Sequence, residues 1–350
     1  MSEQRRKDYL IAPLFVPNQG CPQRCVYCSQ GLVTGREEKA LTGPEVTGLL
    51  SRAAASPRFK KASGAEIAFY GGTFTGLSLE KMEELLEAAN AFVGDGGFDS
   101  IRVSTRPDAL DRKRLDLMRS LGVRTVELGV QSMDDEVLSK SRRGYKAADV
   151  HRAVGLLKGE GFRIGIQLMP GLPGDSEQRF RETVTAVRSI RPDVVRLYPT
   201  VVFRGTRLSS WYAEGRYRPL TLEEAVKWCA EGCSLLESEG IPVIRIGLMI
   251  TGSDDPAGDI LAGPWHPALG FLVRSKIYRD RIARMLPPLG LSSAIEVLVH
   301  PCEVPLARGY RNQGLAELRL KAGSGRLEII PDPVRLKGQP MVQLAAMSGG

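Results

Sequence analysis

The sequence predicts an α/β fold, a partial (β/α)6 barrel followed by a small C-terminal α+β appendage. Short apolar runs alternate with amphipathic segments of helical length, which is typical of parallel βαβ units. Six such units follow one another, and a series of that length favours a barrel over an open sheet. The polar and glycine-containing motifs come directly after apolar runs, as they do at the carboxyl ends of barrel strands, where barrel active sites form.

Each predicted element has a local reason. The predicted strands are 11–16, 65–70, 101–105, 123–130, 162–169 and 193–198, followed by a seventh run at 242–248. All are short and apolar, as buried strands are. The predicted helices are 41–55, 79–92, 111–121, 134–139, 147–160, 176–190, 222–239 and 268–285. Thr42, followed by Pro44 and Glu45, is typical of a helix start, and Ser78 is the expected N-cap of the second helix.

The C-terminal part breaks the barrel pattern. The segment Pro287-Pro288-Leu289-Gly290 ends the regular alternation, so we predict a barrel domain over 1–285 and a small α+β region over 286–350. Short β-like runs in this region are 294–299, 316–321 and 326–330. We expect roughly the last dozen residues to be loosely held, because chain termini commonly are.

Composition bounds the class of protein. The 350 residues include 43% hydrophobic and 25% charged residues, and no apolar run approaches the ~20 residues of a membrane span. The N-terminal residues lack the apolar segment of a secretory signal, and free cysteines fit a reducing compartment, so we predict a cytoplasmic protein with no membrane partner. A net charge of +8 is compatible with nucleic acid or small anions as ligands, but a solvated basic surface explains it equally well.

Three of the six cysteines are clustered just after the first predicted strand. Cys21, Cys25 and Cys28 have the spacing Cys-x3-Cys-x2-Cys, which gathers three thiolates in one loop and suits a [4Fe-4S] cluster whose fourth iron has no protein ligand. A zinc site is the alternative, although it usually needs four ligands in paired spacing. The other cysteines and the histidines are not paired in this way: Cys229, Cys233, Cys302, His151, His266 and His300. We expect Cys229 and Cys233 to be small buried residues.

These residues carry a resemblance to known families. The cysteine motif, with Tyr27 before the third cysteine, resembles the signature of radical S-adenosylmethionine (SAM) enzymes, which implies a TIM-like partial barrel. Further segments resemble the radical SAM core of the Elongator catalytic subunit, which modifies wobble uridines in tRNA: 69–74, 104–108, 127–132, 142–145 and 197–206. Oxygen-independent coproporphyrinogen oxidases are similar at the cofactor positions. The resemblance covers the radical SAM core alone, without an acetyltransferase domain.

The resemblance implies cofactors and site residues. The cofactors are a [4Fe-4S] cluster and SAM, which is cleaved reductively to a 5'-deoxyadenosyl radical that abstracts hydrogen from an unidentified substrate. An electron donor such as ferredoxin or flavodoxin is implied. The residues assigned to SAM are Tyr27 beside the cluster, Gly71, Gly72 and Thr73 for its amino group, Ser104, Gln131, Arg143 and Gln167 for its carboxylate and ribose, and Met169 for its adenine side. Gln167 replaces an acidic residue of the family, and Arg143 can equally be a surface arginine.

The glycine pair leads to a specific expectation. Two glycines leave the backbone open to a ligand, so we expect Gly72→Val to weaken SAM binding while iron content is retained. A glycine pair after a strand is also an ordinary turn. Tyr145, Tyr198 and Arg204 are candidates for substrate contact, and no residue is assigned a catalytic role.

Two other functions stay open. The first is a tRNA-modifying, Elongator-like enzyme, with RNA a possible but not a favoured partner, because the sequence lacks the terminal domains of Elongator. The second is a metal-cluster or zinc binding protein without radical chemistry.

Overall fold

The fold is described from a computed structural model of the chain. The described residues are 9–16, 18–22, 24–29, 40–248, 256–288, 294–323 and 326–345. The N-terminal residues 1–8, on which the prediction of localisation rests in part, lie outside them. The chain forms two compact units. The first consists of Met1–Thr221 and Leu235–Trp265, and the second of Leu222–Ser234 and His266–Gly350.

The first unit contains the predicted partial barrel. Its strands are β1 Tyr9–Val16, β2 Gly64–Gly71, β3 Ser100–Thr105, β4 Val123–Gln131, β5 Arg163–Leu168, β6 Val194–Leu197, β7 Val202–Phe203, β8 Val243–Ile246 and β9 Ile260–Ala262. One parallel sheet contains β1 to β6 in sequence order with β8 beside β6, while β7 and β9 pair antiparallel elsewhere. The predicted fold class is therefore confirmed, and the run at 242–248 supplies the seventh strand of the same sheet.

Helices separate the strands as predicted. They are α1 Gly43–Ala55, α2 Pro57–Lys61, α3 Leu79–Asn90, α4 Arg112–Ser120, α5 Asp135–Lys140, α6 Ala147–Gly159, α7 Glu177–Ile190, α8 Arg207–Ala213, α9 Leu222–Glu237 and α10 Pro256–Asp259. The predicted start of α1 is confirmed, because the Thr42 side chain and Glu45 form a reciprocal capping box. Ser78 likewise accepts a hydrogen bond from Lys81 N at the start of α3. Within the described residues, none of the helices combines the length and the apolar character needed to cross a bilayer.

The two faces of the parallel sheet differ in polarity. Successive side chains of a strand point to opposite faces. One face carries fully buried apolar residues, for example Ile67 and Phe69 of β2 or Ile101 and Val103 of β3. The alternate positions carry polar and charged side chains, and these are Glu66, Tyr70, Arg102, Ser104, Glu127, Gln131, Gln167, Arg196, Tyr198 and Arg245. The barrel thus has a polar inner face, and this face holds the candidate site.

The second unit is the C-terminal appendage. Its elements after α9 are α11 Leu269–Ala283, β10 Ile295–Val299, α12 Val304–Arg308, α13 Gln313–Ala322, β11 Leu327–Pro331 and β12 Met341–Leu344. The strands form a small mixed sheet in the order β11-β10-β12, which confirms the α+β character of the appendage. Helix α11, which the sequence analysis assigned to 1–285, packs its Tyr278 and Ile282 into the same apolar cluster as β10 and β11. The division at 285/286 stays a prediction.

Two expectations for this region are wrong. The run 316–321 was expected to be a strand but lies within α13. Its alternating Leu318 and Leu320 imitate a strand, yet Leu318 is buried with Ala322 at helical spacing, while Leu320 is 83% exposed. Residues 341–344 were expected to be loosely held but form β12, whose backbone pairs antiparallel with β10.

Candidate active site

The cysteine loop packs directly against the backbone that follows β2. Gly72 N donates to Val16 O at 2.8 Å, and Thr73 N donates to Gln19 O at 2.8 Å. A Cβ atom at Gly72 would lie 2.1 Å from Gln19 O, and one at Gly76 would lie 2.1 Å from Gly20 O. Such separations are impossible for real atoms, so glycine is required at these positions. The two segments are therefore in backbone-to-backbone contact.

This contact changes the explanation for Gly72. The sequence analysis expected a side chain there to fill the space of a ligand without disturbing the cysteine loop. The Cβ direction instead meets the main chain of Val16 and Gln19, which leads into the cysteine loop. Gly71 lines the cavity and has φ +106°, which favours glycine. The physical reason given for the Gly72→Val expectation is therefore wrong.

The three thiols have separate protein partners. Cys21 Sγ lies 3.2 Å from Thr73 Oγ1, and Cys28 Sγ donates to Asn18 Oδ1 at 3.8 Å. Between the cysteines, Val26 is buried in an apolar cluster with Val202, Leu208 and Tyr217, which anchors the loop (its carbonyl also accepts from Leu208 N at 2.8 Å). Over the described ranges, no three Cys, His, Asp or Glu side chains converge on a point that could hold a single metal ion.

Arg143 connects the cysteine loop to β4. Its Nη1 donates to Cys25 Sγ at 3.0 Å and to Tyr27 Oη at 3.2 Å. Its Nε donates to Tyr145 Oη at 2.9 Å, and its Nη2 donates to Gly129 O at 2.6 Å. Four of the five N–H groups of the guanidinium are thus engaged, and one remains for a ligand. Arg143 is 6% exposed, so the alternative of a surface arginine is wrong.

Tyr145 has a supporting role at this junction. Its hydroxyl donates to Gly129 O at 2.6 Å, and the Arg143 guanidinium stacks over its ring at 5.0 Å. Burial raises the pKa of Tyr145 and of Tyr27, so both phenols remain protonated donors at neutral pH. Tyr145 does not line the cavity, and Arg204 is an exposed residue that also lies outside it. Of the three candidates for substrate contact, the described cavity wall contains Tyr198 alone.

One cavity of about 660 Å³ brings the predicted site together. Its lining includes the three cysteines and every residue assigned to SAM: Tyr27, Gly71, Gly72, Thr73, Ser104, Gln131, Arg143, Gln167 and Met169. A volume of this size falls in the range of ordinary ligand pockets, roughly 300–1,000 Å³. These residues come from the cysteine loop, from the carboxyl ends of β2 to β5 and, for Arg143, from the connection between α5 and α6, and the barrel topology places the strand ends around one mouth.

Two buried polar atoms in this cavity have no protein partner. Ser104 Oγ and Gln131 Oε1 are both inaccessible to solvent and form no hydrogen bond in the part of the chain that the structure describes. Gln131 also adopts a left-handed backbone, with φ +68°, which is strained for a residue with a side chain. Buried polar groups in proteins are nearly always hydrogen-bonded, so these two atoms indicate a polar ligand. The site therefore fits a cofactor rich in hydrogen-bonding groups.

A buried ion network lies beneath the cavity. Arg102 bridges Glu66 and Glu127 with N···O distances of 2.5 Å to each. Glu127 also accepts from Arg196 at 3.0 Å and from the amide of Gln167 at 2.8 Å. Two carboxylates and two guanidinium groups thus balance in the barrel interior. One N–H of the Gln167 amide is used here, so its carbonyl oxygen and its second N–H remain for the predicted ribose contact.

This ion network was not predicted from the sequence. The signal was present as single charged residues within apolar strands, such as Glu66 in β2, Arg102 in β3 and Arg196 in β6. A charge in an otherwise apolar strand indicates a side chain that faces a polar interior. Gly165 is part of the same arrangement, because a Cβ atom there would lie 2.8 Å from Glu127 Cγ.

Comparison with known families identifies the superfamily of this chain. Residues 15–187 match the Radical SAM superfamily, and residues 192–279 match the Radical_SAM C-terminal domain. The chain belongs to the radical SAM superfamily. It is accordingly a radical SAM enzyme, and its cofactors are a [4Fe-4S] cluster and SAM, as predicted.

Relatives of this radical SAM enzyme agree with the predicted group. The tRNA uridine(34) acetyltransferase of Methanocaldococcus infernus is 29% identical over 291 residues, which is 72% of this chain and 53% of that protein. The protein of the same name from Dehalococcoides mccartyi is 27% identical over 69% of this chain and 58% of its own length. The chain thus spans little more than half the length of these relatives.

A solved structure has the same fold. The archaeal M. infernus Elp3 with an N-terminal deletion superposes with a TM-score of 0.60 and 24% identity, covering 78% of this chain and 63% of that one.

Proposed function

We propose that Cys21, Cys25 and Cys28 bind the [4Fe-4S] cluster and that the adjoining cavity binds SAM. The observation that carries this proposal is that one cavity is lined by the three cysteines together with Ser104 and Gln131, the two residues whose Oγ and Oε1 atoms are buried without a partner among the described residues. Three cysteine thiolates in one loop would hold such a cluster and leave one iron open, whereas a structural zinc ion usually takes four protein ligands. The bound cluster supplies the electron that cleaves SAM to a 5'-deoxyadenosyl radical.

The residues of the chain prepare the site in three ways. Arg143 holds Cys25 and Tyr27 in place, and its positive charge stabilises the negative charge of a metal-bound thiolate. Ser104 and Gln131 offer hydrogen bonds to a polar cofactor. The buried ion network below them keeps the cavity floor rigid, since each of its charged groups is paired.

Replacing Ser104 tests the SAM site. We expect Ser104→Ala to weaken SAM binding about tenfold, because one hydrogen bond is lost, while the cofactor-free fold is stabilised by roughly 1 kcal/mol, because an unsatisfied buried hydroxyl is removed. SAM titration and chemical denaturation measure the two effects. Ser141→Ala is the matched control, since Ser141 Oγ is also buried and unpartnered among the described residues but does not line the cavity. Unchanged SAM affinity in Ser104→Ala would contradict the assignment.

Electron transfer requires access to the cluster. All three cysteines are partly exposed, which supports reduction by a small protein such as ferredoxin or flavodoxin. By contrast, Cys229 and Cys233 are fully buried, as predicted, and burial raises the pKa of Cys229. The cysteines that would hold the cluster form no disulfide, which also supports a reducing compartment. We therefore retain the cytoplasm as the proposed location.

A tRNA substrate is the second candidate function. The relatives named tRNA uridine(34) acetyltransferases favour it. Charge supports it as well, since residues 266–350 contain twelve Lys and Arg against six Asp and Glu, and so carry six of the eight net positive charges of the chain. Clustered cations attract phosphates without reading sequence.

We expect tRNA binding to be weak, unselective and salt-sensitive. Because phosphate contacts release counterions, affinity should fall more than about tenfold between roughly 50 and 200 mM salt. Filter binding with two unrelated tRNAs at several salt concentrations measures this. A tight complex with one tRNA that survives moderate salt would make tRNA modification the leading function.

A further inference from the structure

The part of the cavity wall that β6 and β8 form is cationic. Besides its polar and apolar residues, the cavity is lined by five arginines: Arg24, Arg106, Arg143, Arg196 and Arg245. No aspartate or glutamate is present in the described lining. Two of these arginines are neighbours, because Arg196 of β6 and Arg245 of β8 are register partners on adjacent parallel strands, about 4.8 Å apart.

Arg245 differs from Arg106, Arg143 and Arg196, the other cavity arginines whose partners are described, in the groups that its guanidinium contacts. Arg196 is neutralised by Glu127 at 3.0 Å, and Arg106 forms a two-pronged pair with Asp108 at 2.9 and 2.8 Å. Arg143 faces Cys25. The partner of Arg245 is the carbonyl of Gly247, which accepts from its Nε at 3.4 Å. Within the described ranges, its two terminal nitrogens have no acceptor.

The charges of the barrel interior balance without Arg245. Glu66 and Glu127 are matched by Arg102 and Arg196, so these four groups sum to zero. Arg245 is partly buried and adds one positive charge beside this neutral network. A partly desolvated guanidinium with free terminal N–H groups has the geometry to bind a carboxylate or a phosphate through two parallel hydrogen bonds.

Two phenols add donors to the same wall. Tyr70 Oη and Tyr198 Oη accept from Arg196 at 2.8 and 3.2 Å. Neither hydroxyl hydrogen has an acceptor in the part of the chain that the structure describes. Burial raises the pKa of both phenols, while the charge of Arg196 opposes the rise, so both keep their protons at neutral pH. The Tyr198 hydroxyl also lies close enough to Arg245 to sense its charge.

The cavity lining also includes apolar side chains. Ile11, Pro13 and Phe15 of β1 contribute to its lining, and Val201 and Phe203 do so from the segment after β6. The cavity therefore combines an apolar surface with one unneutralised guanidinium and two phenolic donors. An anion that carries an apolar body matches this combination.

We propose that Arg245, assisted by Tyr198, binds an oxyanion of the substrate, either a carboxylate or a phosphate, next to the SAM site. This proposal rests on the proposed function and adds the substrate class to it. Arg245 is a binding residue in this scheme, and the transferred hydrogen comes from the apolar part of the substrate.

Anion titration of the reconstituted, SAM-bound protein tests this proposal. The probes are inorganic phosphate and benzoate at constant ionic strength, and calorimetry measures their binding. We expect one anion per chain, at least tenfold weaker binding in Arg245→Gln, and partial recovery in Arg245→Lys. Arg152→Gln, which changes a 69% exposed side chain on α6, should bind like the unmodified protein. The probe that binds more tightly identifies the substrate oxyanion as phosphate or carboxylate.

The other outcomes decide against the proposal. Equal anion affinity in Arg245→Gln, or no binding of either probe to the unmodified protein, would overturn it. A parallel loss of SAM affinity in Arg245→Gln would assign Arg245 to the SAM site instead. Iron content and substrate-free SAM cleavage in the control Arg152→Gln should match those of the unmodified protein. If the unmodified protein itself held no cluster, the proposed function would fail, and anion titration of the cluster-free protein with and without Arg245 would still decide the present inference.

Discussion

We expect the substitution Cys25→Ser to prevent most of the cluster assembly and most of the SAM cleavage. Anaerobically reconstituted protein should hold about four irons per chain, and dithionite with SAM should release 5'-deoxyadenosine. Cys25→Ser should lose most of the iron and lower the rate of SAM cleavage by more than about a hundredfold, because one of three cluster ligands is removed and the oxygen of serine is a poor substitute. Cys21→Ser and Cys28→Ser should behave in the same way. Iron assay and product analysis measure both effects.

The remaining cysteines provide the controls. Cys302 is exposed and lies in the C-terminal unit, so Cys302→Ala should retain iron and activity. If Cys302→Ala lost as much iron as Cys25→Ser, the cluster would have a fourth protein ligand and no open iron. Stoichiometric zinc without SAM cleavage in the unmodified protein would favour the metal-binding alternative and reject radical chemistry.

We also expect Gly72→Ala to lower the iron content of the protein. The sequence alone led to the opposite expectation, that a side chain at Gly72 leaves the iron content unchanged. A methyl group at this position would lie 2.1 Å from Gln19 O and 2.7 Å from Val16 O, so the cysteine loop must move. The hydrogen bonds from Gly72 N and Thr73 N to these carbonyls would be lost with it. We expect a loss of roughly 2–3 kcal/mol in the free energy of unfolding, at about 1 kcal/mol for each hydrogen bond plus strain, and less than half the iron of the unmodified protein.

A second glycine, Gly76, distinguishes an effect on the packing of the cysteine loop from an effect on the space available to the ligand. Gly76 does not line the cavity, but a Cβ atom there would lie 2.1 Å from Gly20 O in the cysteine loop. Gly76→Ala should therefore lose iron as Gly72→Ala does. Gly155→Ala on α6 is the matched control: it meets no atom within 4 Å, so it should retain iron and gain about 0.5–1 kcal/mol of stability from helix propensity. Full iron content in Gly72→Ala and Gly76→Ala, with SAM binding weakened in Gly72→Ala alone, would restore the ligand-space explanation.

Much of the candidate site could be predicted from local sequence. A cysteine motif is contiguous, so Cys21, Cys25 and Cys28 are recognisable without any tertiary information. Ser104, Gln131 and Gln167 were placed by resemblance to oxygen-independent coproporphyrinogen oxidases. All of these residues line one cavity in the structure. The role of Arg143 was predicted less completely, since its bonds to Cys25 and Tyr27 join segments more than a hundred residues apart.

The predictions of secondary structure were wrong where contacts with distant segments of the chain determine it. The strand-like alternation of 316–321 was overridden because Leu318 and Ala322 are buried together at helical spacing. Residues 341–344 have no strong pattern of their own and form a strand because β10 offers them an open edge. The pattern of side chains along a segment shows only its local periodicity. Whether a side chain is buried against another element depends on which distant segment packs beside it.

The sequence by itself determined the parallel barrel and the superfamily and predicted the cluster ligands, because apolar periodicity and a contiguous motif are properties of neighbouring residues. Only the tertiary structure decided that Gly72 and Gly76 pack against the cysteine loop and that Glu66, Arg102, Glu127 and Arg196 neutralise one another. It also decided that Arg245 is left without a carboxylate partner among the described residues. Contact distances and charge balance join residues from different strands, and those pairings exist only once the sheet has formed.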